Sequence, residues 1–497
     1  MGSGTPAVIS AGYDREQSKV GVTMAKQYDV VVIGGGPGGY TAALKAAEFG
    51  MRAVVIEEKN VGGTCVNRGC IPTKALLHAS NMFHKMQNCD EFGVSTDFIS
   101  FDFRKMQQYK KNAVAKYRNG ILAQFREKGV EIVCGRGRLR RNRTVEVELA
   151  EGGREFYQGK AVILATGAVP ASAHIPGENL PGVWNSDRLL ASQSWNFERL
   201  TILGGGVIAV EMATIFSNLC SRVTIIEKKE HLMAPMDDIM SIELEKELKR
   251  KGIEIYCDAT VSEIFDEPEG LACVITPNRG GESVKIRAGQ ILMAIGRRPN
   301  VKGLFGEDMS LKMRGDRIDV TPDFETSEPG VYAIGDVCAE IQLAHVAAAQ
   351  GTYVIEKIAG RPHSIRLNAV PSGMYVSLPI VPNCIYTEPE IATVGLTEET
   401  ARQRGLKVQC GHFSMRDNGK SIISGEENGF IRLVFESYTN TLVGAQMMCP
   451  RATDMIGELA TAIANGLTAE QLSFAMRAQP TYNEGIGSAI ADARQKS

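Results

Sequence analysis

The strongest constraint on the fold is a unit of about 30 residues that occurs twice. Residues 28–57 and 200–227 each read as an apolar strand, a glycine turn, a helix, and a second apolar strand that ends in an acid. This order is typical of a parallel sheet covered by helices. A lone glycine turn would be weak evidence, but here four features agree twice. The sequence therefore predicts an α/β fold with two Rossmann-like dinucleotide-binding domains.

Each turn has the spacing G-x-G-x-x-G/A. The first glycine makes the turn, the second lets backbone approach a pyrophosphate, and the third small residue lets the helix pack on the strand. An acid follows 23 positions after the first glycine in both units, where it can accept hydrogen bonds from a ribose. The residues assigned in this way are Gly34, Gly36, Gly39 and Glu57, then Gly204, Gly206, Ala209 and Glu227.

Two dinucleotide sites in one chain predict a relay between a flavin dinucleotide and a nicotinamide dinucleotide. Glu227 would repel a 2′-phosphate, so it favours NAD(H) over NADP(H). Lys228 and Lys229 follow at once and weaken this preference, since either could pair with a phosphate.

Length and charge narrow the functions further. A chain of 497 residues is too long for one core and predicts two to four domains. A net charge of -2 gives no general attraction to nucleic acid or to an anionic membrane. Residues 1–25 lack the features of a secretory signal and are interpreted as a flexible leader. Eleven scattered cysteines argue against a disulfide-stapled secreted fold, so the cytoplasm is the expected compartment.

The stretch GGTCVNRGCIPTK, residues 62–74, holds Cys65 and Cys70. A metal clip would need further ligands nearby, and a structural disulfide is rare in a reducing compartment. Helical residues at this separation have Cα atoms about 8.6 Å apart, whereas a disulfide needs roughly 4.4–6.8 Å. A bridge therefore requires an interrupted or late-starting helix and would be easily reduced. A redox disulfide is the preferred interpretation, with the other two as alternatives.

Further motifs make the chain resemble the pyridine nucleotide-disulfide oxidoreductases. Besides the cysteine stretch and the glycine turns, these motifs are ATG (165–167), AIGRRPN (294–300), YAIGDV (332–337), LAHVA (343–347) and YTEPEIATVGLTEE (386–399). They occur in the family's order and cover nearly the whole chain from Met24 onward. Within the family they most resemble the dihydrolipoyl dehydrogenases.

This resemblance implies that the first unit holds FAD, with Lys74 close to the flavin ring. Asp336 resembles the acid at the ribityl or phosphate region of FAD, and residues 343–345 resemble the segment beside the isoalloxazine. Packing with a hydrogen bond is the alternative role for His345. The further FAD contacts that the resemblance implies are Thr64, Gly137, Thr166, Gly167, Leu343, Ala344 and His345.

The resemblance also implies that the second unit holds NAD, with Glu211, Val261 and Gly296 as additional contacts. Glu211 is either a nicotinamide contact or an acid on the helix surface that is paired with a lysine. Cys65 is expected to be the interchange thiol that attacks substrate, and Cys70 the thiolate against the flavin. Electrons would pass from dihydrolipoamide, or another small dithiol or disulfide, through the cysteines and FAD to NAD⁺.

The chain departs from the family near its C-terminus. Family members supply a base from the partner subunit in a stretch HPT-x-x-E, which here reads QPTYNE at 479–484. Thr481 and Glu484 fit, but Gln479 occupies the histidine position and cannot take up a proton near neutral pH. Arg477 replaces another family histidine. An engineered active-site variant of a dihydrolipoyl dehydrogenase and a natural member with shifted chemistry both agree with this stretch, and Arg477 slightly favours natural divergence.

The expected architecture is an FAD-binding domain at 26–170 and 300–367, an NAD-binding domain at 171–299, and a C-terminal α+β dimerisation domain at 373–497. The stretch 368–383 is expected to be a long loop-like junction. The expected assembly is a homodimer, with a 2-oxo acid dehydrogenase or glycine cleavage complex as a candidate larger partner. No metal, nucleic acid or membrane is expected.

The sequence also agrees with other functions. Mercuric reductase would need a C-terminal cysteine pair, and glutathione reductase would need basic residues in place of Glu227. An NADH-dependent flavin diaphorase or oxidase, or a divergent disulfide reductase, could dispense with the histidine. A non-catalytic subunit of a larger complex is disfavoured by the cysteine pair. The basic run at 135–143 is interpreted as a solvated turn between strands, or as a surface that steers an anionic partner.

Overall fold

The computed structural model describes residues 24–234, 236–366, 368–369, 374 and 376–496. The leader proposed for residues 1–25 therefore lies almost wholly outside the described residues. Among the helices of the described part, none is long and apolar enough to cross a membrane.

The first glycine unit forms the centre of a mostly parallel sheet. Strand β1 lies between β2 and β5, β3 extends the sheet beyond β2, and antiparallel β4 joins β3 to β5. The four residues 30–33 of β1 have little or no exposure, as expected of a strand covered on both faces. The elements are β1 (Lys26–Ile33), α1 (Pro37–Glu48), β2 (Ala53–Glu57), α2 (Gly63–Arg68), α3 (Cys70–Gln87), α4 (Phe103–Lys128), β3 (Glu131–Arg140), β4 (Thr144–Leu149), β5 (Arg154–Leu164) and β6 (Ala168–Pro170).

The second glycine unit builds a second sheet with the same local order. Strand β8 lies between parallel partners β9 and β13, and an antiparallel meander of β11 and β12 continues from β13. Its elements are β7 (Val183–Asn185), α5 (Ser186–Ala191), β8 (Arg199–Leu203), α6 (Val207–Asn218), β9 (Arg222–Ile226), α7 (Asp238–Arg250), β10 (Glu254–Tyr256), β11 (Ala259–Glu267), β12 (Gly270–Pro277) and β13 (Val284–Met293).

After β13 the chain returns to the first sheet. Strand β14 pairs with β6, so the outgoing and returning crossings lie side by side, and β17 joins the first sheet beside β5. The first sheet is thus assembled from two separated stretches of chain. The returning elements are β14 (Arg297–Pro299), β15 (Met313–Arg314), β16 (Arg317–Ile318), β17 (Val331–Ala333) and α8 (Ala344–Ile358).

The C-terminal part is an antiparallel sheet in the order β20-β21-β24-β23-β22, with α11 and α13 packed against it. Its elements are β18 (Asn368–Ala369), β19 (Leu378–Pro379), β20 (Asn383–Ile385), β21 (Ile391–Gly395), α9 (Glu398–Gln403), β22 (Val408–Ser414), α10 (Gly419–Ser424), β23 (Phe430–Glu436), β24 (Leu442–Met448), α11 (Ala452–Ala464), α12 (Ala469–Ser473) and α13 (Glu484–Gln495).

Two local expectations need correction. The basic run at 135–143 is mainly strand β3 rather than a turn, and several of its arginines are paired with acids: Arg138 with Glu148, and Arg140 with Glu146 and Asp308. The stretch 368–383 is not only loop, because β18 pairs with β19. Residues 370–373 and 375 of that stretch lie outside the described residues.

Helix α3 is held by an apolar cluster drawn from three parts of the chain. Leu76 and Leu77 of α3 belong to it, together with Phe216 of α6 and Met448 of β24. This cluster joins the first unit, the second unit and the C-terminal sheet, so burial fixes the helix that begins with Cys70 relative to all three.

Candidate active site

Both glycine turns open on one cavity of about 950 Å³, between the two nucleotide units. The walls come from the carboxyl ends of β1 and β8, where ligands bind in open α/β sheets. The predicted site residues that line this cavity are Gly34, Gly36, Glu57, Thr64, Cys65, Cys70, Lys74, Gly137, Thr166, Gly167, Gly204, Gly206, Glu211, Glu227, Gly296, Asp336, Leu343, Ala344 and His345.

Five predicted site residues do not line it. Gly39 and Ala209 lie behind the turns, and a Cβ on Gly39 would come within 1.9 Å of the Gly34 carbonyl oxygen. These two residues allow helix packing rather than ligand contact. Val261 is a residue of β11, and its side chain is buried in the apolar core. Gln479 and Glu484 belong to the C-terminal part and lie outside this cavity.

The two glycine turns fit a dinucleotide phosphate. Gly34 and Gly204 have φ values of +105° and +110°, and a Cβ on Gly34 would lie 2.3 Å from the carbonyl oxygen of Ala165. Helices α1 and α6 begin immediately after Gly36 and Gly206, without a side-chain cap. The free N–H groups of their first turns, which in α1 begin at Gly38 because Pro37 has no N–H, are therefore available to an anion, which the helix dipole also favours.

The two acids are held in the same way. The Glu57 carboxylate accepts hydrogen bonds from the N–H groups of Gly35 and Lys59, at 2.7 and 2.8 Å. The Glu227 carboxylate accepts from the N–H of Gly205 and, at 2.8 Å, from that of Lys229. Each carboxylate is thus fixed at the strand end beside its glycine turn, the position expected for a ribose contact.

The cysteine pair lies where two helices meet. Cys65 is in α2, Cys70 is the first residue of α3, and Gly69 between the helices has φ −141° and ψ −108°. The expected interruption of the helix is therefore present. Both cysteines are free thiols in the structure, which corresponds to the reduced form of the pair.

The surroundings of the two thiols shift their pKa values in opposite directions. The hydrogen bond from the Cys65 thiol lowers the pKa of Cys70 to about 7; burial opposes this change and the charge of Lys74 supports it. The same hydrogen bond, together with burial, raises the pKa of Cys65. The reduced pair is thus arranged to carry its negative charge at Cys70, at the N-terminus of α3, where a helix also stabilises a thiolate.

Lys74 is fixed by an ion pair that spans the two units. Its Nζ lies 2.8 Å from both carboxylate oxygens of Glu211, whose side chain is only 3% exposed. The N–H of Tyr386 also donates to Glu211, and the Tyr386 ring lies 4.5 Å from the Lys74 Nζ. Of the two roles considered for Glu211, pairing with a lysine is observed, although Glu211 itself is buried rather than on the helix surface.

The residues that line the cavity include a second set of polar groups. Burial raises the pKa of Asp336, and the charge of Arg297 opposes this shift. Arg297 donates to the Ala168 carbonyl at 2.7 Å and lies 3.4 Å from Asp187. The His345 Nε2 donates to the Pro382 carbonyl at 2.8 Å, and burial lowers the pKa of His345.

Sequence reasoning missed Tyr386, Arg297 and Asp187 as site residues. The first two lie inside the motifs YTEPE and AIGRRPN, so a signal existed but carried no role. Asp187 gave no signal of its own. Within the part of the chain that the structure describes, no group of three or more His, Cys, Asp or Glu residues is arranged to hold a metal ion.

The Gln479 segment, defined as residues 474–484, is at the surface. The Gln479 side chain is exposed, and so are Phe474 and Met476, at 73% and 100%. Glu484 accepts a hydrogen bond from the Thr481 N–H at 2.9 Å. Arg477 is paired with Glu458, so it is held against α11 rather than presented to a ligand.

Two dinucleotide-type turns facing one cavity, with a cysteine pair in its wall, define a class of protein: oxidoreductases that exchange electrons between thiols and a nicotinamide nucleotide. Residues 28–351 match the family described as pyridine nucleotide-disulphide oxidoreductase, and residues 381–490 match the dimerisation domain of that family. The chain belongs to the pyridine nucleotide-disulphide oxidoreductase family.

Similar proteins of known sequence support this family assignment. The chain is 35% identical over 485 residues to dihydrolipoyl dehydrogenase of Bacillus subtilis (strain 168), covering 95% of this chain and 99% of the relative. It is 34% identical over 467 residues to dihydrolipoyl dehydrogenase of Geobacillus stearothermophilus, covering 93% and 95%. The predicted enzyme class is confirmed: this is an FAD-dependent disulfide oxidoreductase that resembles dihydrolipoyl dehydrogenases, in a family that uses FAD and NAD(H).

Solved structures support the fold. LpdA from Mycobacterium tuberculosis has a TM-score of 0.84 at 24% identity, covering 95% of this chain and all of that one. The HOCl-induced flavoprotein disulfide reductase RclA from Escherichia coli has a TM-score of 0.81 at 25% identity, covering 93% and 99%. The predicted fold class is confirmed, and the dimerisation domain supports the predicted homodimer.

Proposed function

We propose that this protein oxidises a small dithiol, with dihydrolipoamide as the first candidate, and delivers the electron pair to NAD⁺ through Cys65 and Cys70. The observation that carries this proposal is the placement of both cysteines and Lys74 in the wall of the cavity onto which the two glycine turns open. The names of the relatives suggest the substrate.

Two separate sets of residues in this chain would bind FAD and NAD. Gly34, Gly36 and Glu57 would hold the pyrophosphate and ribose of FAD, with Thr64, Gly137, Thr166, Gly167, Asp336 and residues 343–345 along its length. Gly204, Gly206, Glu227 and Gly296 would hold NAD in the same manner. Bound FAD would accept an electron pair from the thiols and give it as hydride to NAD⁺.

The thiol chemistry follows from the asymmetry of the pair. A substrate thiolate attacks the Cys65 sulfur of the disulfide, which forms a mixed disulfide and releases Cys70 as a thiolate. The second substrate thiolate then attacks the substrate sulfur of the mixed disulfide and releases Cys65. The low pKa of Cys70 makes it the better leaving group, and Lys74 stabilises the charge that remains there.

The Gln479 segment would complete the active site of the partner subunit. Gln479 is exposed and does not line the cavity of its own chain, so any contact with the thiols must be made in another copy. There its amide could donate a hydrogen bond to a thiolate, with Glu484 behind it, but it could not accept the proton of a substrate thiol.

We also propose a domain organisation, a cellular compartment and a larger partner for this protein. We assign FAD binding to residues 26–170 and 300–367, NAD binding to 171–299, and dimerisation to 373–497. The returning strands β14 and β17 support this plan. The cytoplasm is the proposed compartment, and a 2-oxo acid dehydrogenase or glycine cleavage complex is the proposed larger partner.

One observation favours a second candidate, an NADH-dependent diaphorase or oxidase. Gln479 stands where a base is needed for dithiol oxidation, whereas hydride exchange between the two nucleotides needs no such base.

Rapid-mixing spectroscopy separates these functions. The protein would be mixed in turn with dihydrolipoamide, NADH and oxygen, and the flavin absorbance followed. The proposal expects reduction by dihydrolipoamide and reoxidation by NAD⁺. If NADH reduces the flavin but dihydrolipoamide does not, and if oxygen then reoxidises the flavin rapidly, the protein is instead an NADH oxidase.

A further inference from the structure

The Gln479 segment is exposed on one side and held by polar side chains on the other. Asn418, which is 2% exposed, donates from its side-chain amide to the Thr481 carbonyl at 3.0 Å. Arg477 and Asn483 both bind the Glu458 carboxylate, Asn483 at 2.9 Å. A surface segment anchored at several points is kept in one conformation, because each anchor adds to the cost of local opening.

One further anchor connects the segment to helix α3. The Tyr482 hydroxyl donates to one carboxylate oxygen of Glu426, and the Lys85 Nζ lies 2.6 Å from the other. Burial would raise the pKa of Glu426, but hydrogen bonds from Lys85 and Tyr482 hold it below its ordinary value. Burial and the same contact raise the pKa of Tyr482 to about 12. The connection is therefore a carboxylate that accepts hydrogen bonds from a lysine and from a tyrosine hydroxyl.

Lys85 and the redox cysteine occupy opposite ends of one helix. Helix α3 begins at Cys70 and ends at Gln87, so Lys85 lies about 22 Å along the helix axis from Cys70. The apolar cluster around Leu76 and Leu77 fixes α3. Glu426 consequently ties the Gln479 segment to the same rigid element that carries Cys70.

We propose that Glu426 is a positioning residue for the dithiol reaction. It acts through Tyr482 and holds the Gln479 segment in register with α3, so that each subunit presents its Gln479 amide in one place to the cavity of its partner. This inference rests on the proposed function, in which the segment serves the partner subunit.

The test uses the full-length FAD-loaded protein and the variants Tyr482→Phe and Glu426→Gln, with Glu427→Gln, an exposed neighbour, as the matched control. Amide hydrogen exchange is measured on peptides covering 474–483. Turnover is measured with dihydrolipoamide and NAD⁺, and separately with NADH and an artificial dye. Loss of a hydrogen bond to a charged group should speed amide exchange in the segment and should lower dithiol turnover, each by roughly tenfold.

The expected result is faster exchange in 474–483 and lower kcat with dihydrolipoamide in both variants, with NADH–dye turnover unchanged and the control like the parent. Unchanged exchange would overturn the anchoring role. Faster exchange with unchanged dithiol turnover, or a parallel fall in dye turnover, would overturn the positioning role. If the parent protein shows no dithiol turnover, the proposed function fails, and the exchange data still decide whether Glu426 holds the segment.

Discussion

Lys74 and Glu211, which form an ion pair, should shift the pKa of Cys70 in opposite directions. Lys74 lowers that pKa and Glu211 raises it. Replacing Lys74 by Met should therefore raise the pKa from about 7, and Glu211→Gln should lower it. The two changes remove charges from one contact, so an unspecific disturbance of the site would not separate them.

The size of the Lys74 effect follows from the geometry of α3. Cys70 and Lys74 are four residues apart on one helix face, which places the side chains about 6 Å apart. At an effective dielectric constant of about 20, two unit charges at that distance interact by about 2.8 kcal/mol, or about two pKa units. Because the Lys74 side chain is 29% exposed, solvent screening reduces the expected shift to about one unit.

The assay is a pH titration of the two-electron-reduced protein, following the long-wavelength absorbance that a thiolate beside an oxidised flavin produces. Lys105→Met is the control, because that lysine is 87% exposed on α4. An upward shift in Lys74→Met and a downward shift in Glu211→Gln are expected. Shifts in the same direction, or none in either variant, would refute the electrostatic reasoning.

Three more predictions concern the nucleotide, the missing base and a buried lysine. Glu227→Ala should weaken NADH binding by about 1–2 kcal/mol, the worth of a charge-assisted hydrogen bond; equal kcat/KM for NADH and NADPH in the parent would contradict the assignment. Gln479→His should raise dihydrolipoamide turnover by roughly 10²–10⁴-fold, the contribution of a general base, and leave NADH–dye turnover nearly unchanged; equal dihydrolipoamide rates would place the base elsewhere. Lys110, 6% exposed and bonded to Gln107 and the Leu190 carbonyl, has its pKa lowered by burial from 10.5 to about 8. The folded protein therefore binds fewer protons than the unfolded chain between these values, and this group makes the free energy of unfolding rise with pH across that window. Denaturant titrations at several pH values should show a smaller rise in Lys110→Met, and identical pH dependence would argue against a buried charge.

The sequence was most informative where function depends on local spacing. Gly34, Gly36 and Glu57 could be placed because a strand, a turn and a helix fix the positions of residues close together in the chain. The interruption between Cys65 and Cys70 was expected from helix geometry alone.

Contacts between distant parts of the chain were not accessible in this way. Glu211 meets Lys74 across 137 positions, and Tyr386 reaches the same carboxylate from the C-terminal sheet. The spacing of residues in the sequence does not predict such pairs, because they depend on how separate parts of the chain pack together. The same limit explains Val261, which resemblance placed in the nucleotide site and the structure places in the core.

The most direct test of the account is the reduction of the protein by dihydrolipoamide before and after Cys70→Ser. In the parent, rapid mixing should give the long-wavelength band and then NADH when NAD⁺ is added. In the variant, FAD should remain bound and NADH should still reduce it, because the glycine turns are untouched, while dihydrolipoamide should produce neither the band nor NADH. Full dihydrolipoamide-dependent NADH formation in Cys70→Ser would contradict the claim that electrons pass through the cysteine pair.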